Sequence, residues 1–400
     1  MRNRRLLPML LLLLSMPVVW ADEASWDVSA NISLETRYFT EDGRWPGQGS
    51  RAGEAALESV LELHWRNADG GQRVSFIPYL RWDAVDSQRS LADLHEAYWA
   101  LETDSLQLLI GANIVFWGVT ESEHLVDIVN QTDAVADIDG EDKLGQPMIN
   151  LAVQRDWGLI SLYVMPYFRE RTFAGSDGRF RPALPVDTGR PQYESSDGNR
   201  HVDLALRYSH YIGDVDLGLS LFRGTSREPR LLPDAGGDRL LPYYDQIAQI
   251  GIDLQYTHDA WLWKLEAIAR DGVADRFGAA VGGFEYTHYQ VGGSAMDVGV
   301  LAEYQYDGRA DTEPLTIADH DLFLGTRLAF NDQQDTSLLA GAGVDLRTNE
   351  TYVNIEAERR LGQEYVLELR SRFFSGAKAG DATYALSADD YVQLLVSRYF

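Results

Sequence analysis

The feature that most constrains the fold of this chain is a period-two alternation of apolar and polar residues that recurs along its whole length. Over residues 26–35, every even-numbered residue is apolar and every odd-numbered residue is polar. Similar patterns occupy residues 57–66 and 365–372. Successive side chains of a β-strand point to opposite faces, so each segment predicts a strand with one apolar and one polar face.

About 18 segments of roughly ten residues carry this alternation. They lie at 25–39, 54–67, 73–84, 92–102, 106–117, 147–155, 158–170, 201–212, 214–224, 246–257, 260–270, 279–290, 295–306, 320–331, 335–347, 351–361, 364–375 and 388–400. Connections after even-numbered segments are all short, whereas those after odd-numbered segments are mostly long, as at 118–146, 171–200 and 225–245. Bacterial outer-membrane barrels alternate in this way, and soluble sandwiches or propellers have no reason to do so.

The first 21 residues have the three parts of a secretory signal peptide. Arg2, Arg4 and Arg5 precede an apolar run over 6–19, and a small-residue cleavage site ends at Ala21. A membrane anchor is the alternative, but the apolar run of about 14 residues is shorter than the roughly 20 that a spanning helix needs. We therefore predict export through the Sec pathway with cleavage after Ala21.

These patterns together predict an all-β protein whose residues 22–400 form one outer-membrane domain. The expected fold is a transmembrane, antiparallel, up-and-down β-barrel of about 18 strands, within a range of 16 to 18. Its long loops lie outside the cell and its short turns lie in the periplasm. Outer-membrane lipid is accordingly the expected environment.

The composition excludes several classes of function. The net charge of −26 becomes −29 when the three arginines of the signal peptide are removed, which argues against nucleic acid as a partner. The absence of cysteine excludes thiol catalysis and thiolate metal sites. His95 and Glu96 begin like a metalloprotease motif, but Trp99 stands where the second histidine belongs. No G-x-S-x-G motif is present, so we predict that the protein is not an enzyme.

The most distinctive connection is 118–146, which has an apolar stripe that includes Leu125, Val129 and Ile138. Thr120 followed by Glu123 resembles a capping box and predicts a short helix over 121–130. An apolar stripe next to a barrel strand needs a surface to cover it, and the lumen wall offers one. We expect the loop to fold inward and narrow the lumen; a compact external loop packed on itself is the alternative.

Acidic residues of this loop are candidates to line the constriction. They are Glu121, Glu123, Asp127, Asp133, Asp137 and Asp139. Oxygen ligands near a glycine turn also suggest Ca²⁺ at Asp137, Asp139, Glu141 and Asp142, although the spacing is not that of an EF-hand. A solvated acidic loop is the simpler reading, and no other cofactor is predicted.

The alternation also predicts which charged residues face the lumen. They are Glu58, Glu62, Arg66, Arg81, Asp203, Arg207, Asp253, Lys264, Glu266, Arg270, Arg327, Arg347, Glu356, Glu358, Arg370 and Arg372, with Arg360 and Glu368 on the same face. Burying so many charges would cost several kcal/mol per ion, whereas a water-filled lumen removes that cost. Sixteen to 18 strands also leave an aqueous passage. We therefore predict a channel whose selectivity depends on these charges.

The last segment, residues 391–400, resembles the C-terminal assembly signal of Gram-negative outer-membrane proteins. Phe400 is terminal, and Val392, Leu394 and Val396 are apolar, whereas Arg398 stands at a position that is usually apolar. An arginine near the membrane edge can reach water, so the departure is tolerable. The resemblance implies that the barrel-assembly machinery recognises Phe400 and its strand.

Taken over the whole mature length, the chain resembles a Gram-negative porin-type barrel. The stretch from Gly111 to Gly118 and on to Asp133 is also similar to a strand-and-loop pattern of poorly characterised porin-like proteins. The resemblance implies passive diffusion of small hydrophilic solutes across the outer membrane. A non-channel barrel that acts in export, adhesion or surface binding is the alternative, and the oligomeric state stays open.

Overall fold

The computed structural model describes residues 24–49, 53–273 and 275–400. The predicted signal peptide, residues 1–21, lies outside the described residues. Within them, none of the helices is long and apolar enough to cross a membrane. In this described part of the chain, helix is limited to short 3₁₀ turns at Gly198–Arg200, Val291–Gly293 and Ala382–Leu386.

Eighteen antiparallel strands form one closed sheet, which confirms the predicted fold. They are β1 (Ala24–Phe39), β2 (Glu54–Asn67), β3 (Gln72–Asp83), β4 (Leu91–Glu102), β5 (Leu106–Asn113), β6 (Gln146–Arg155), β7 (Gly158–Met165), β9 (Asp203–Ile212), β10 (Val215–Thr225), β13 (Gln246–His258), β14 (Trp261–Asp271), β15 (Arg276–His288), β16 (Asp297–Asp307), β17 (Asp321–Ala329), β18 (Ser337–Asp345), β19 (Thr351–Leu361), β20 (Tyr365–Ser375) and β21 (Tyr391–Tyr399). Each strand pairs with its neighbours along the chain, and β21 pairs with β1 to close the barrel.

Three further short strands lie outside the barrel wall. β8 (Gln192–Tyr193) runs parallel to β12 (Leu240–Tyr244), which pairs with β11 (Arg230–Pro233) in a hairpin. They belong to the long connections 166–202 and 226–245. The alternation in the sequence does not predict this second sheet, because its strands are too short to display a period of two.

The barrel wall is polar inside and apolar outside, as strand β1 shows. Its Leu34 and Tyr38 are 51% and 57% exposed, whereas Glu35 and Arg37 on the other face are 4% and 1% exposed. A water-soluble protein buries the opposite face. Exposed apolar side chains around a closed sheet are the arrangement that lipid requires.

The lengths of the connections alternate as predicted. Gly213 and Gly362 have φ of 64° and 71° in two of the short turns, a backbone region that glycine adopts without strain. On the opposite rim, the long connections 114–145, 166–202 and 226–245 leave the sheet. The outer rim also has short connections, at 272–275 and 346–350.

Three details of the prediction are wrong at this rim. The seventh strand ends at Met165 rather than at residue 170, and two further errors have a clear local cause. The fifth strand ends at Asn113 rather than at residue 117, because Val115 and Trp117 donate their N–H groups to Asn130 and Asp127 of the following loop instead of to a strand. Arg347 lies in the turn after β18 rather than in the wall. The Asp345 carboxylate accepts the N–H groups of Arg347 and Thr348 there, so the chain turns away from the sheet.

Candidate functional site

The connection between β5 and β6, residues 114–145, reaches across the barrel, and we call it the inner loop. Its residues bond to inward-facing side chains of β14, β16 and β17. In the ring of 18 wall strands β5 is the fifth and β17 the fourteenth, so they are nine strands apart, half of the circumference. The inner loop therefore contacts opposite sides of the wall.

Two buried wall carboxylates hold the part of the inner loop that was predicted to be a helix. Glu266 on β14 is fully buried and accepts the N–H groups of Val119, Thr120 and Val126 at 2.7, 3.1 and 3.2 Å. Glu303 on β16 accepts the N–H groups of Glu121 and Ser122.

The predicted helix over 121–130 is consequently wrong: this segment consists of turns and bends. The Thr120 hydroxyl donates to the backbone oxygen of Glu123 and also contacts Glu266 at 2.7 Å, so it does not act as a helix cap. The carboxylates of the wall satisfy the amide groups that would otherwise begin a helix.

A second anchor joins the acidic half of the inner loop to the strands where the barrel closes. Arg372 on β20 lies 3.0 Å from both Asp137 and Asp139 and 2.7 Å from Glu356. The Tyr391 hydroxyl donates to Asp137 at 2.9 Å. Arg372 and Asp137 are almost fully buried, so the pair must be well bonded to offset its desolvation.

A third anchor involves β3 and the connection that follows it. Arg81 lies 2.7 Å from Asp133, whose other oxygen accepts a hydrogen bond from Thr172. Arg89 donates to the backbone oxygen of Val135 at 2.9 Å and also pairs with Glu35. These contacts tie the inner loop to the wall and to two outer connections.

Asn130 joins the two ends of the inner loop. Its amide donates to the backbone oxygens of Asn113 and Leu144 at 2.9 and 2.8 Å, and its oxygen accepts the N–H of Val115 at 2.9 Å. It is 2% exposed, so each of these bonds replaces a bond to water.

Two further acidic residues of the inner loop form ion pairs. Glu121 pairs with Arg327 at 2.6 Å, and Asp127 pairs with Lys143 at 3.1 Å.

The apolar stripe of the inner loop packs against the inside of the wall. Val126, Ile128 and Val129 are at most 3% exposed and belong to one cluster with inward-facing apolar side chains of the wall. The wall members include Ala100, Leu109, Met148, Tyr163, Met165, Ala205, Phe222, Ile247, Ile268 and Ala279. This cluster spans β4 to β15, so the inner loop fills that side of the lumen.

Three ionisable residues of the inner loop have a pKa shifted into the neutral or basic range, and one of them is Asp139, whose pKa burial and the charge of Asp137 raise to about 7. Burial lowers the pKa of His124, but the carboxylates of Glu141 and Glu266, 3.7 and 3.8 Å away, outweigh burial and raise this pKa to about 10. Burial and the charges of Glu228 and Glu266 raise the pKa of Glu123 to about 7. At neutral pH His124 is therefore a cation, and Glu123 keeps its proton to a higher pH than an exposed glutamate does.

On the other side of the inner loop a cavity of about 260 Å³ separates it from the wall. Its lining comes from the loop and from β1 to β4, β20 and β21. The charged lining residues are Glu35, Glu58, Asp133, Glu141 and Asp142, with Arg81, Lys143 and Arg370. Five acids face three bases, and a negative cavity favours cations.

The predicted lumen residues fall into groups that differ in exposure. Arg81, Asp203, Asp253, Glu266 and Arg372 are buried. Those partly exposed on the inward face are Glu58, Glu62, Arg207, Lys264, Arg270, Arg327, Glu356, Glu368 and Arg370, and the exposed ones are Arg66, Glu358 and Arg360. The expectation that lumen water solvates all these charges is therefore wrong for the buried five, which partner other side chains or loop amides.

The carboxylates predicted to bind Ca²⁺, those of Asp137, Asp139, Glu141 and Asp142, are not grouped around one position that a metal ion could occupy. Asp137 and Asp139 share Arg372, and Glu141 lies beside His124, so arginine and histidine provide the positive charge there. Among the described residues, the carboxylates close enough together to share a metal ion are instead Asp319, Asp321 and Asp345, within 4.8 Å of one another at the outer rim.

Sequence reasoning missed several residues of the anchors. Glu303 and Glu35 follow the same inward alternation as the predicted lumen residues, so the pattern contained a signal for them. Arg89, Arg227 and Asn130 lie in connections, where no periodicity exists. Arg227 donates to the backbone oxygen of Val129 at 2.9 Å and pairs with Asp203 at 2.5 Å.

The C-terminal strand closes the barrel. The Phe400 N–H donates to the backbone oxygen of Ala30 on β1 at 2.9 Å, and Phe400 is 57% exposed. Arg398, the departure from the assembly-signal pattern, lies 3.2 Å from Glu364 in the adjacent short turn. The Arg398 guanidinium thus forms an ion pair at the membrane edge, whereas the sequence predicted that it would reach water there.

No protein-family model and no curated protein matches the sequence. The fold is nevertheless similar to solved outer-membrane barrels. A BenF-like porin from Pseudomonas fluorescens superposes with a TM-score of 0.56 at 9% identity, over 94% of this chain and 98% of that one. Pseudomonas aeruginosa OpdQ gives 0.53 at 12% identity, over 94% and 97%.

Wzi from Escherichia coli, described as a carbohydrate-binding β-barrel involved in capsule assembly, gives a TM-score of 0.56 at 11% identity, over 94% of this chain and 84% of Wzi. These superpositions establish the fold. At such low sequence identity they leave the solute or the partner open. The chain therefore has the fold of a bacterial outer-membrane porin-type β-barrel of 18 strands.

Proposed function

We propose that this barrel is an outer-membrane channel for passive diffusion of small hydrophilic solutes, narrowed by the inner loop. The anchoring of this loop at opposite sides of the wall is the observation that carries the proposal, because a segment fixed across a barrel restricts what can pass. The chain reaches the membrane after Sec export and cleavage at Ala21, and its C-terminal strand is recognised by the barrel-assembly machinery.

Selectivity arises at the cavity beside the inner loop. The excess of acids over bases in its lining favours cations, and its volume of about 260 Å³ limits the size of the solute. Arg370 and Lys143 share this lining with Glu58 and Asp142, so a solute that carries both charges also finds partners there.

Conductance in planar lipid bilayers tests the proposal. Protein shown to be folded by heat-modifiable gel mobility should give discrete, cation-selective steps. Deletion of residues 121–142 should increase the step size, because it removes the segment that crosses the lumen. Deletion of residues 235–237, in the tip of the external β11–β12 hairpin, is the matched control and should leave the step unchanged. Folded protein without conductance would refute the channel.

A surface-binding barrel is the second candidate, and the outer loops favour it. Arg179 of the connection 166–202 is 2% exposed and lies 2.6 Å from Asp389 of the last outer connection, and it also donates to Glu41 and Gly49. Interlocked loops of this kind form a surface over part of the barrel mouth. The similarity to Wzi suggests carbohydrate as the ligand. Polysaccharide binding by folded, non-conducting protein would support this function.

A further inference from the structure

The outward face of β9 to β15 carries charged side chains at its extracellular edge. On β1, β3 and β16, by contrast, large aromatic side chains end the apolar band at this level: Tyr38, Trp82 and Tyr306 are 57%, 62% and 45% exposed. Aromatic rings are the usual boundary between lipid tails and head groups. On β10, β14 and β15 the charged residues Arg223, Asp271 and Arg276 occupy the boundary instead.

The strand register places these residues in one row. Leu204, Arg223, Ala248, Asp271 and Arg276 are successive cross-strand partners on β9, β10, β13, β14 and β15. All five belong to the outward face, and the three charged members are exposed. The row therefore sets two arginines and one aspartate against the lipid.

Arg223 has no ion pair in this row. Arg276 lies 2.6 Å from Asp271, whereas the cross-strand neighbours of Arg223 are Leu204 and Ala248. Within residues 24–49, 53–273 and 275–400, the Arg223 guanidinium forms no hydrogen bond, ion pair or ring contact. An exposed arginine without an anionic partner at the head-group level is a place for an anion from outside the protein.

Directly below this row the wall has an apolar depression. The next outward row is formed by Leu206, Leu221, Ile250, Ala269 and Gly278. Leu221 and Ile250 are 49% and 56% exposed and stand beside the small residues Ala269 and Gly278. The result is a groove of about 450 Å³ that also includes Arg223, Asp271 and Arg276.

We propose that this groove binds one molecule of lipid A, the phosphorylated glycolipid of the outer leaflet. Arg223 and Arg276 contact the phosphates of this lipid, and an acyl chain lies along the apolar floor. The strands end here on the extracellular side, where the outer leaflet supplies this lipid. Two cations against one aspartate complement a phosphate, and guanidinium groups bind phosphate through paired N–H donors.

Native mass spectrometry of the folded full-length protein in detergent can test this site. The probes are lipid A with its phosphates, dephosphorylated lipid A, and phosphatidylglycerol. The double variant R223A/R276A should bind phosphorylated lipid A at least about tenfold more weakly than the unaltered chain. Ala269→Phe, which fills the floor, should weaken binding while both arginines remain.

Arg359→Ala is the matched control, because Arg359 is also outward-facing and ion-paired, 3.2 Å from Asp332, but lies at the periplasmic end of β19. It should leave lipid A binding unchanged. Equal binding by R223A/R276A and the unaltered protein would overturn the proposal, and so would equal affinity for phosphatidylglycerol.

A subunit interface is the other use of such a face. If R223A/R276A converted an oligomer into a monomer in size-exclusion chromatography without altering lipid A binding, the proposal would be wrong. These measurements do not use conductance, so their outcome is independent of whether the barrel is a channel.

Discussion

The barrel wall and the inner loop obey opposite rules of burial. On the wall, Leu324 and Ile250 are 54% and 56% exposed to lipid, and polar residues face inward. In the inner loop, Val126 and Val129 are fully buried, and so are the carboxylates that hold its backbone. The wall is stable because lipid solvates its apolar face, whereas the loop is stable because charged wall residues replace water around its amides.

The difference teaches that the loop depends on a few single residues, while the wall depends on many equivalent ones. Any one exposed leucine of the wall contributes a small share of the lipid contact. Glu266 alone accepts bonds from three backbone amides and one hydroxyl. Substitutions in the loop and in the wall should therefore differ in the size of their effect and in the measurement that detects it.

The largest effect is expected from Glu266→Leu. It leaves buried amides of the inner loop without acceptors, and we expect a loss of about 3–5 kcal/mol of the free energy that keeps the loop closed. Hydrogen exchange at residues 119–126 should accelerate, and bilayer currents should become larger and noisier. Glu62→Gln is the control, since Glu62 faces the lumen and contacts Ser29 of the wall at 3.0 Å. Unchanged exchange in Glu266→Leu would show that the wall carboxylate does not hold the loop.

A smaller effect on the whole barrel is expected from Leu324→Arg. This outward-facing residue lies near the middle of β17, so a charge there should lower the free energy of unfolding by about 2–4 kcal/mol. Leu328→Arg, near the periplasmic end of the same strand, should cost about 0–1 kcal/mol because the charge reaches the interface. Urea unfolding in lipid vesicles measures both. Equal costs at the two depths would contradict a membrane-spanning wall.

The smallest effects concern pH. Asp142 lines the cavity, and burial raises the pKa of its carboxyl, so this group gains its charge at a higher pH than an exposed aspartate does. Cation selectivity should therefore increase as pH rises through that raised pKa, and Asp142→Asn should remove the increase. Reversal potentials under a salt gradient measure it, and a flat profile in the unaltered protein would place Asp142 outside the conduction path.

His124 should act over a higher range. Its folded pKa of about 10 exceeds the ordinary value of 6.5, so its stabilisation of the loop is complete below pH 6.5 and is lost as pH rises towards 10. Current noise should therefore grow over that range, and less so in His124→Gln. Noise that grows equally in both proteins would assign the effect to another group.

Much of the wall could be predicted without coordinates. Each of the 18 alternating segments corresponds to one barrel strand, and the parity of the turns agrees with the observed connections. Two errors in the predicted strand ends occur where a side chain accepts a backbone N–H group that a strand would otherwise use. Asn130 ends β5 early in this way, and Asp345 turns Arg347 away from the wall. The helix expected from Thr120 and Glu123 does not form for the same reason. Carboxylates that are distant in the sequence accept hydrogen bonds from the backbone amides of this segment.

The sequence by itself determined the barrel, since a period of two with a lipid-facing apolar side is a local property of each strand. It also indicated that the apolar stripe near Val126 needs a covering surface. Only the tertiary structure decided which surface that is, and which of the inward charges are buried. Glu266 and Thr120 are 146 residues apart, and no local pattern encodes a bond that exists only after the sheet has closed.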